Sequence, residues 1–253
     1  MFTSVHAQQL EDFGYCVIEQ ALDAQKTGTV RQALLGAVAE SERRGIPTYI
    51  PNLDPNPSNT RVFNLLDLDP VFLELITHPL AIQIVGDLLE NDFIVSNFTA
   101  NIARSGSQSM VLHSDLSVVL PEPWHAMWSV NAIWCLDDVY AENGATLYLP
   151  GSHHIERRDQ LPEDIEPYLE PMQASAGSLV VMDGRLWHTS GRNTTEDQER
   201  ALLFGYYSRS FIRPQWNFSV ALSDSTKQLI GPELHHWLGL GINANVKPLD
   251  GLL

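Results

Sequence analysis

Cysteine is nearly missing: Cys16 and Cys135 are the two in 253 residues, far apart and in no Cys-x-x-Cys spacing. That excludes a disulfide framework and suits a reducing compartment, so a cytoplasmic location is expected. Basic residues are scarce as well, 15 against 31 acidic ones, for a formal charge of −16. A surface so short of cations argues against nucleic acid or an anionic membrane as the main partner, and it leaves a polyanionic substrate poorly served. Residues 1–6 have neither a basic nor an apolar leader segment, so no signal peptide is expected. No apolar run approaches the length of a bilayer span. A Gly-x-Ser-x-Gly elbow, a phosphate-cradling glycine loop, internal repeats and low-complexity tracts are all lacking. Nucleophilic and nucleotide-cradling chemistries lose their usual supports.

What remains is an ordinary globular composition, 44% hydrophobic and 18% charged, in a chain long enough for one large domain. Residues 4–13 read as a short helix before Gly14, and 15–19 as a strand. Asp23 is placed to cap a helix whose apolar positions Val30, Ala33, Leu34, Ala37 and Val38 share one face. From 46 to 61 four prolines and three asparagines dissolve the pattern into a loop, with Tyr49, Ile50 and Phe63 as the apolar underside of a lid. Two helices follow, opened by Pro70 and Pro79. After Asp92 the period becomes extended, with strands near 93–102, 130–136, 146–149, 178–182 and 201–207. Helices first and strands afterwards, without regular alternation, indicate an antiparallel sandwich. The expected fold is mainly β with flanking helices, around a double-stranded β-helix or jelly-roll core. One domain, 1–253, is expected: a helical layer at 4–92, the core at 93–212 and a tail at 213–253 with a short helix near 233–238.

The chemistry gathers at His113-Ser114-Asp115, which follows the apolar Met110-Val111-Leu112. In an extended strand i and i+2 share a face, so the imidazole and the carboxylate enter one pocket. A tripeptide that loose recurs by chance. However, a buried carboxylate needs a partner or a cation, and His188, in an apolar run after Asp183-Gly184, supplies a second imidazole. Two nitrogens and one oxygen with open positions opposite form the facial triad of non-haem Fe(II) oxygenases. Arg200 enters the next apolar strand; as a strand neighbour of His188 it would bring a planar fork of donors to the same pocket. That combination suits a cosubstrate chelating metal at one end and carrying a carboxylate at the other, as 2-oxoglutarate does, and Ser190 adds a hydroxyl. The pairs His153-His154 and His235-His236 diverge in any regular structure and read as structural or surface residues.

His113-Ser114-Asp115, the run Asn143-Gly144-Ala145-Thr146-Leu147-Tyr148-Leu149-Pro150-Gly151-Ser152-His153, the strand Gly177–Asp183, His188 and Arg200 together resemble the phytanoyl-CoA dioxygenase family. The likeness runs from Phe13-Gly14-Tyr15 to about Arg209. It implies an Fe(II)/2-oxoglutarate-dependent dioxygenase using O2, with His113, Asp115 and His188 on iron. It also implies that Arg200 and Ser190 hold the distal carboxylate of 2-oxoglutarate and that Thr146 lies beside it. Halogenating relatives carry a small residue where Asp115 stands, which disfavours halogenation. Tyr49, Phe63, Trp124 and Trp128 are the expected substrate-pocket residues, and they suggest a small, largely apolar metabolite of secondary metabolism. Hydroxylation, desaturation, epoxidation and rearrangement all stay open, as does the oligomeric state, a homodimer included. Alternatives are an acyl-CoA or amino-acid hydroxylase of the same family, a non-catalytic jelly-roll binding module, and a cupin-type isomerase or hydrolase on Zn or Mn.

Overall fold

The computed structural model describes residues 1–241, so the end of the expected tail, 242–253, lies outside the described residues. Helix α1 (Ser4–Phe13) ends at Gly14, whose φ of 80° is a left-handed cap. Strand β1 (Tyr15–Ile18) leads to α2 (Ala24–Arg43), where Asp23 accepts the Lys26 amide at 2.7 Å and starts the helix as expected. Strand β2 (Asn59–Val62), helices α3 (Pro70–Ile76) and α4 (Pro79–Leu88) and the long β3 (Phe93–Ala103) follow. The remaining strands are β4 (Ser129–Cys135), β5 (Thr146–Tyr148), β6 (Glu170–Pro171), β7 (Leu179–Asp183), β8 (His188–Ser190) and β9 (Arg200–Arg209). Short helices α5 (Phe218–Ala221), α6 (Asp224–Leu229) and α7 (Pro232–Trp237) close the described chain.

All strand pairs are antiparallel, in a six-stranded sheet ordered β1-β7-β4-β9-β3-β2 and a three-stranded sheet ordered β6-β5-β8. Residues directly opposite in register share a face, and the face alternates along each strand. One face of the larger sheet therefore carries Phe98, Ala100, Ile102, Val130, Trp134 and Leu203. These pack with Val30, Leu34, Phe72, Leu75 and Ile84 of the helices in the main core. Contrary to the expectation that no apolar run approaches a bilayer span, Pro70–Leu88 passes for one by length and composition. It breaks between α3 and α4, and Phe72, Leu75, Ile76 and Ile84 are each fully buried in this core. The opposite face of the larger sheet looks toward the smaller one.

Two expectations need correction. Residues 59–61 belong to a strand, because β3 supplies a partner ladder that Asn-Thr-Arg would not have announced alone. The 46–58 loop is held by a polar pin that its apolar residues gave no reason to expect. Asp54, 3% exposed, pairs with Arg61 at 2.8 Å and accepts the Ile50 amide at 3.0 Å. Tyr49 is half-buried in this loop, and Phe63 stacks instead on Trp216, with ring centroids 5.5 Å apart.

Candidate metal centre

His113 and His188 face each other through a single antiparallel bridge. Each donates its amide to the other's carbonyl, at 2.9 and 2.8 Å. No longer strand forms around His113, contrary to expectation. Ser114 keeps the extended conformation (φ −112°, ψ 141°) that sends His113 and Asp115 the same way, and Asp115 then opens a 3-10 turn to Val118. The turn is fixed from below, since the Gly184 carbonyl accepts both the Ser114 hydroxyl and the Leu116 amide at 2.8 Å. A Cβ on Gly184 would stand 1.9 Å from Ser129 Oγ, so only glycine allows this approach.

The three side chains converge. One ligand atom from each of His113, Asp115 and His188 lies within 4.8 Å of the others. His188 Nε2 is 3.8 Å from Asp115 Oδ1, too long for a hydrogen bond, so neither atom is spent on the other. Each imidazole uses Nδ1 on the carbonyl two residues back, Val111 for His113 and Leu186 for His188, both at 2.9 Å. That leaves both Nε2 atoms free as ligands, the usual arrangement behind metal-bound histidine. Burial, followed by the neighbouring His113, holds the His188 pKa down at about 4, so its ring is neutral at pH 7. Asp115 Oδ2 accepts from Asn131 Nδ2 at 3.0 Å, and the Tyr206 hydroxyl donates to the Asp115 backbone carbonyl at 3.2 Å.

Arg200 reaches this interior from the other side. The expectation that its strand adjoins that of His188 is wrong: β9 lies in the large sheet between β4 and β3, and β8 edges the small one. The guanidinium spans the gap between sheets. It is 1% exposed, and its Nε donates to the Gly144 carbonyl at 3.0 Å. Gly144 has φ +90°, a conformation that suits glycine. Burial pulls the Arg200 pKa to about 10, which leaves it charged at neutral pH. Among the described residues no carboxylate pairs with it, and its Nη1 is buried without a partner. Thr146 and Ser190 stand opposite each other across β5 and β8, on the face that also carries His188. The Ser190 hydroxyl accepts the Met110 amide at 3.0 Å and keeps its own proton for another acceptor.

The expected pocket aromatics separate. Trp124 is a packing residue: it is 1% exposed, its indole N–H donates to Val119 at 2.9 Å, and it clusters with Leu116, Leu149 and Trp187. Trp128 is half-buried and lies edge-on to the exposed Phe211. His153 is buried and its Nε2 meets the Glu11 carbonyl at 2.9 Å, a structural role. A separate cavity of about 480 Å3 is walled by Leu149, Pro150, Ile155, Pro162, Tyr168 and Leu169, and no triad residue lines it. Sequence reasoning passed over Asn131 and Tyr206. The available signal was a polar side chain at an inward position of an otherwise apolar strand.

A sandwich of two antiparallel sheets with a His-x-Asp…His centre and a buried arginine defines the non-haem iron oxygenase class. Residues 10–201 match the phytanoyl-CoA dioxygenase (PhyH) family, and the chain belongs to it. A dioxygenase of Aspergillus fumigatus, af480, is 46% identical over 231 residues, 91% of this chain and 75% of its own length. Among solved structures, the fold is similar to HygX from Streptomyces hygroscopicus with nickel and 2-oxoglutarate bound. Its TM-score is 0.68 at 19% identity, covering 85% of this chain and 90% of HygX. It is also similar to SnoK, a non-haem α-ketoglutarate-dependent carbocyclase from nogalamycin biosynthesis. Here the TM-score is 0.69 at 21% identity, covering 86% of this chain and 88% of SnoK. The protein is a non-haem dioxygenase that uses Fe(II), 2-oxoglutarate and O2.

Proposed function

We propose that His113, Asp115 and His188 hold the ferrous ion, that Arg200, Ser190 and Thr146 hold 2-oxoglutarate, and that the enzyme oxidises a C–H bond of a small metabolite in secondary metabolism. The observation that carries this reading is a buried guanidinium with no carboxylate partner, enclosed between the sheet bearing it and the sheet bearing His188. A charge that deep is costly unless something pairs with it, and a carboxylate end matches its two-point geometry. The donor set fits as well: two neutral imidazole nitrogens and one carboxylate oxygen, on residues whose other polar atoms are already engaged. When bound, iron with 2-oxoglutarate and O2 supplies the oxidising power, releasing succinate and CO2 as co-products.

The chain's own share is placement. Arg200 fixes the far end of the cosubstrate, the half-buried His113 and Asp115 leave the metal open on one side, and His188 is sealed beneath. For the substrate, the half-buried Trp128 and Tyr49 would offer apolar contact, whereas the Phe63–Trp216 stack leans on the main core. Asn97, Thr99 and Asn101 follow one another on the inward face of β3, opposite Tyr206, Phe204 and Leu202. The substrate we favour therefore has an apolar body and at least one hydrogen-bonding edge. The relation of SnoK to nogalamycin biosynthesis supports placing it in secondary metabolism. A metabolite panel assayed for succinate above the uncoupled background tests the reading. Succinate should depend on iron and rise with the right compound, and an Asp115→Ala protein that forms succinate like the parent would end the proposal.

A further inference from the structure

Asp115 is gripped by two residues that stand directly opposite each other, Asn131 on β4 and Tyr206 on β9. Asn131 Nδ2 donates to the carboxylate at Oδ2, 3.0 Å away, and the Tyr206 hydroxyl donates to the backbone carbonyl of Asp115 at 3.2 Å. Both are buried, 6% and 4% exposed. We infer that Asn131 is the positioning residue of the metal centre: it presents Asp115 to the ion through Oδ1 alone, while Tyr206 secures the backbone behind it. This rests on the ligand set proposed above.

A free carboxylate has two equivalent oxygens and can turn both toward a cation. A second oxygen on the ion would take one of the positions that cosubstrate and O2 need. The amide prevents this by engaging Oδ2 and leaving Oδ1 on the side of His188 Nε2, 3.8 Å away. Its orientation is dictated, because turning the amide over would set oxygen against oxygen. The cost is visible: Asn131 Oδ1 is buried without a partner. A residue serving only to fill this site would be apolar, as Ile133 and Cys135 are at the next two inward positions of β4. Among the described residues, no other side chain hydrogen-bonds Asn131. The second oxygen of Asp115 is its reason to be polar.

The test is anaerobic titration of the full-length protein with Co(II) followed by its absorption, beside the visible charge-transfer band formed with Fe(II) and 2-oxoglutarate. Asn131→Leu keeps the branched shape and removes the donor; Asn131→Ser removes the reach. Both should bind Co(II) about 10–100-fold more weakly and displace the charge-transfer band, with the melting temperature of the metal-free protein near that of the parent. Tyr206→Phe should weaken Co(II) binding only a few-fold. Should Asn131→Leu misfold, Asn131→Ser gives the same reading. If either folded variant binds Co(II) like the parent and gives the parent band while Asp115→Ala loses Co(II), the positioning role is wrong and the triad stands. If Asp115→Ala also binds like the parent, the metal centre itself is misassigned and this inference goes with it.

Discussion

The two faces of the six-stranded sheet are built from the same strands and obey opposite rules. Outward, toward the helices, Phe98, Ile102, Val130, Trp134 and Leu203 form a continuous apolar layer. Inward, the sheet divides. Its β1-β7-β4 end is apolar apart from Asn131: it carries Val17, Met182, Val180, Ile133 and Cys135, the last three lining a cavity of only about 10 Å3. Its β9-β3-β2 end carries Tyr206, Arg200, Asn97, Thr99, Asn101 and Arg61. Apolar burial stabilises by about 25 cal/mol per Å2, whereas a buried polar atom without a partner costs about 1–3 kcal/mol. The outward face thus supplies stability. The polar end of the inward face gives some of it up, and that is where the chemistry sits.

Substitutions should break the contrast in opposite ways. The largest effect is Asp115→Ala, which should abolish iron-dependent succinate formation while circular dichroism keeps the parent spectrum. Next, Trp134→Ala on the outward face should cost about 3–5 kcal/mol by denaturant melts, with the activity per folded molecule retained. Arg200→Met should do the reverse, raising the KM for 2-oxoglutarate at least about 30-fold and leaving the melting temperature unchanged or higher. Arg200→Lys should recover only part, since an ammonium cannot reproduce the planar fork. The smallest effect concerns pH. Burial lowers the His188 pKa from 6.5 to about 4, so across that interval the unfolded chain binds a proton that the folded one refuses. Metal-free stability should therefore fall as pH drops from 6.5 toward 4 and level off below; a flat profile would mean His188 is protonated where it sits.

Helices and long strands were legible because their periods are long enough to be read. The Asp23 cap, the stripe along α2 and the runs that became β3, β4, β7 and β9 lie close to where pattern places them. Of the small sheet, β5 lies where a strand was expected near 146–149, but β6 and β8 span two and three residues and exist only through their pairing with β5. The same limit hid the route of Arg200, which approaches the site from the opposite sheet. Asp54 reads as one more loop residue among prolines and asparagines until Arg61 folds back on it. Trp124 shows the converse: a tryptophan near a site in sequence is as ready to pack as to bind. Asn131 stands in an apolar strand, where one polar residue carries no meaning until the carboxylate it serves is known.

The central claim is that three side chains hold Fe(II) while one buried arginine holds the far end of 2-oxoglutarate. Anaerobic addition of Fe(II) and 2-oxoglutarate, followed by visible absorption, addresses both parts at once. The account predicts a charge-transfer band in the parent, none in Asp115→Ala, and in Arg200→Ala a band that forms only at much higher 2-oxoglutarate. A parent protein that gives no band, or an Asp115→Ala protein that gives the parent's, would contradict it.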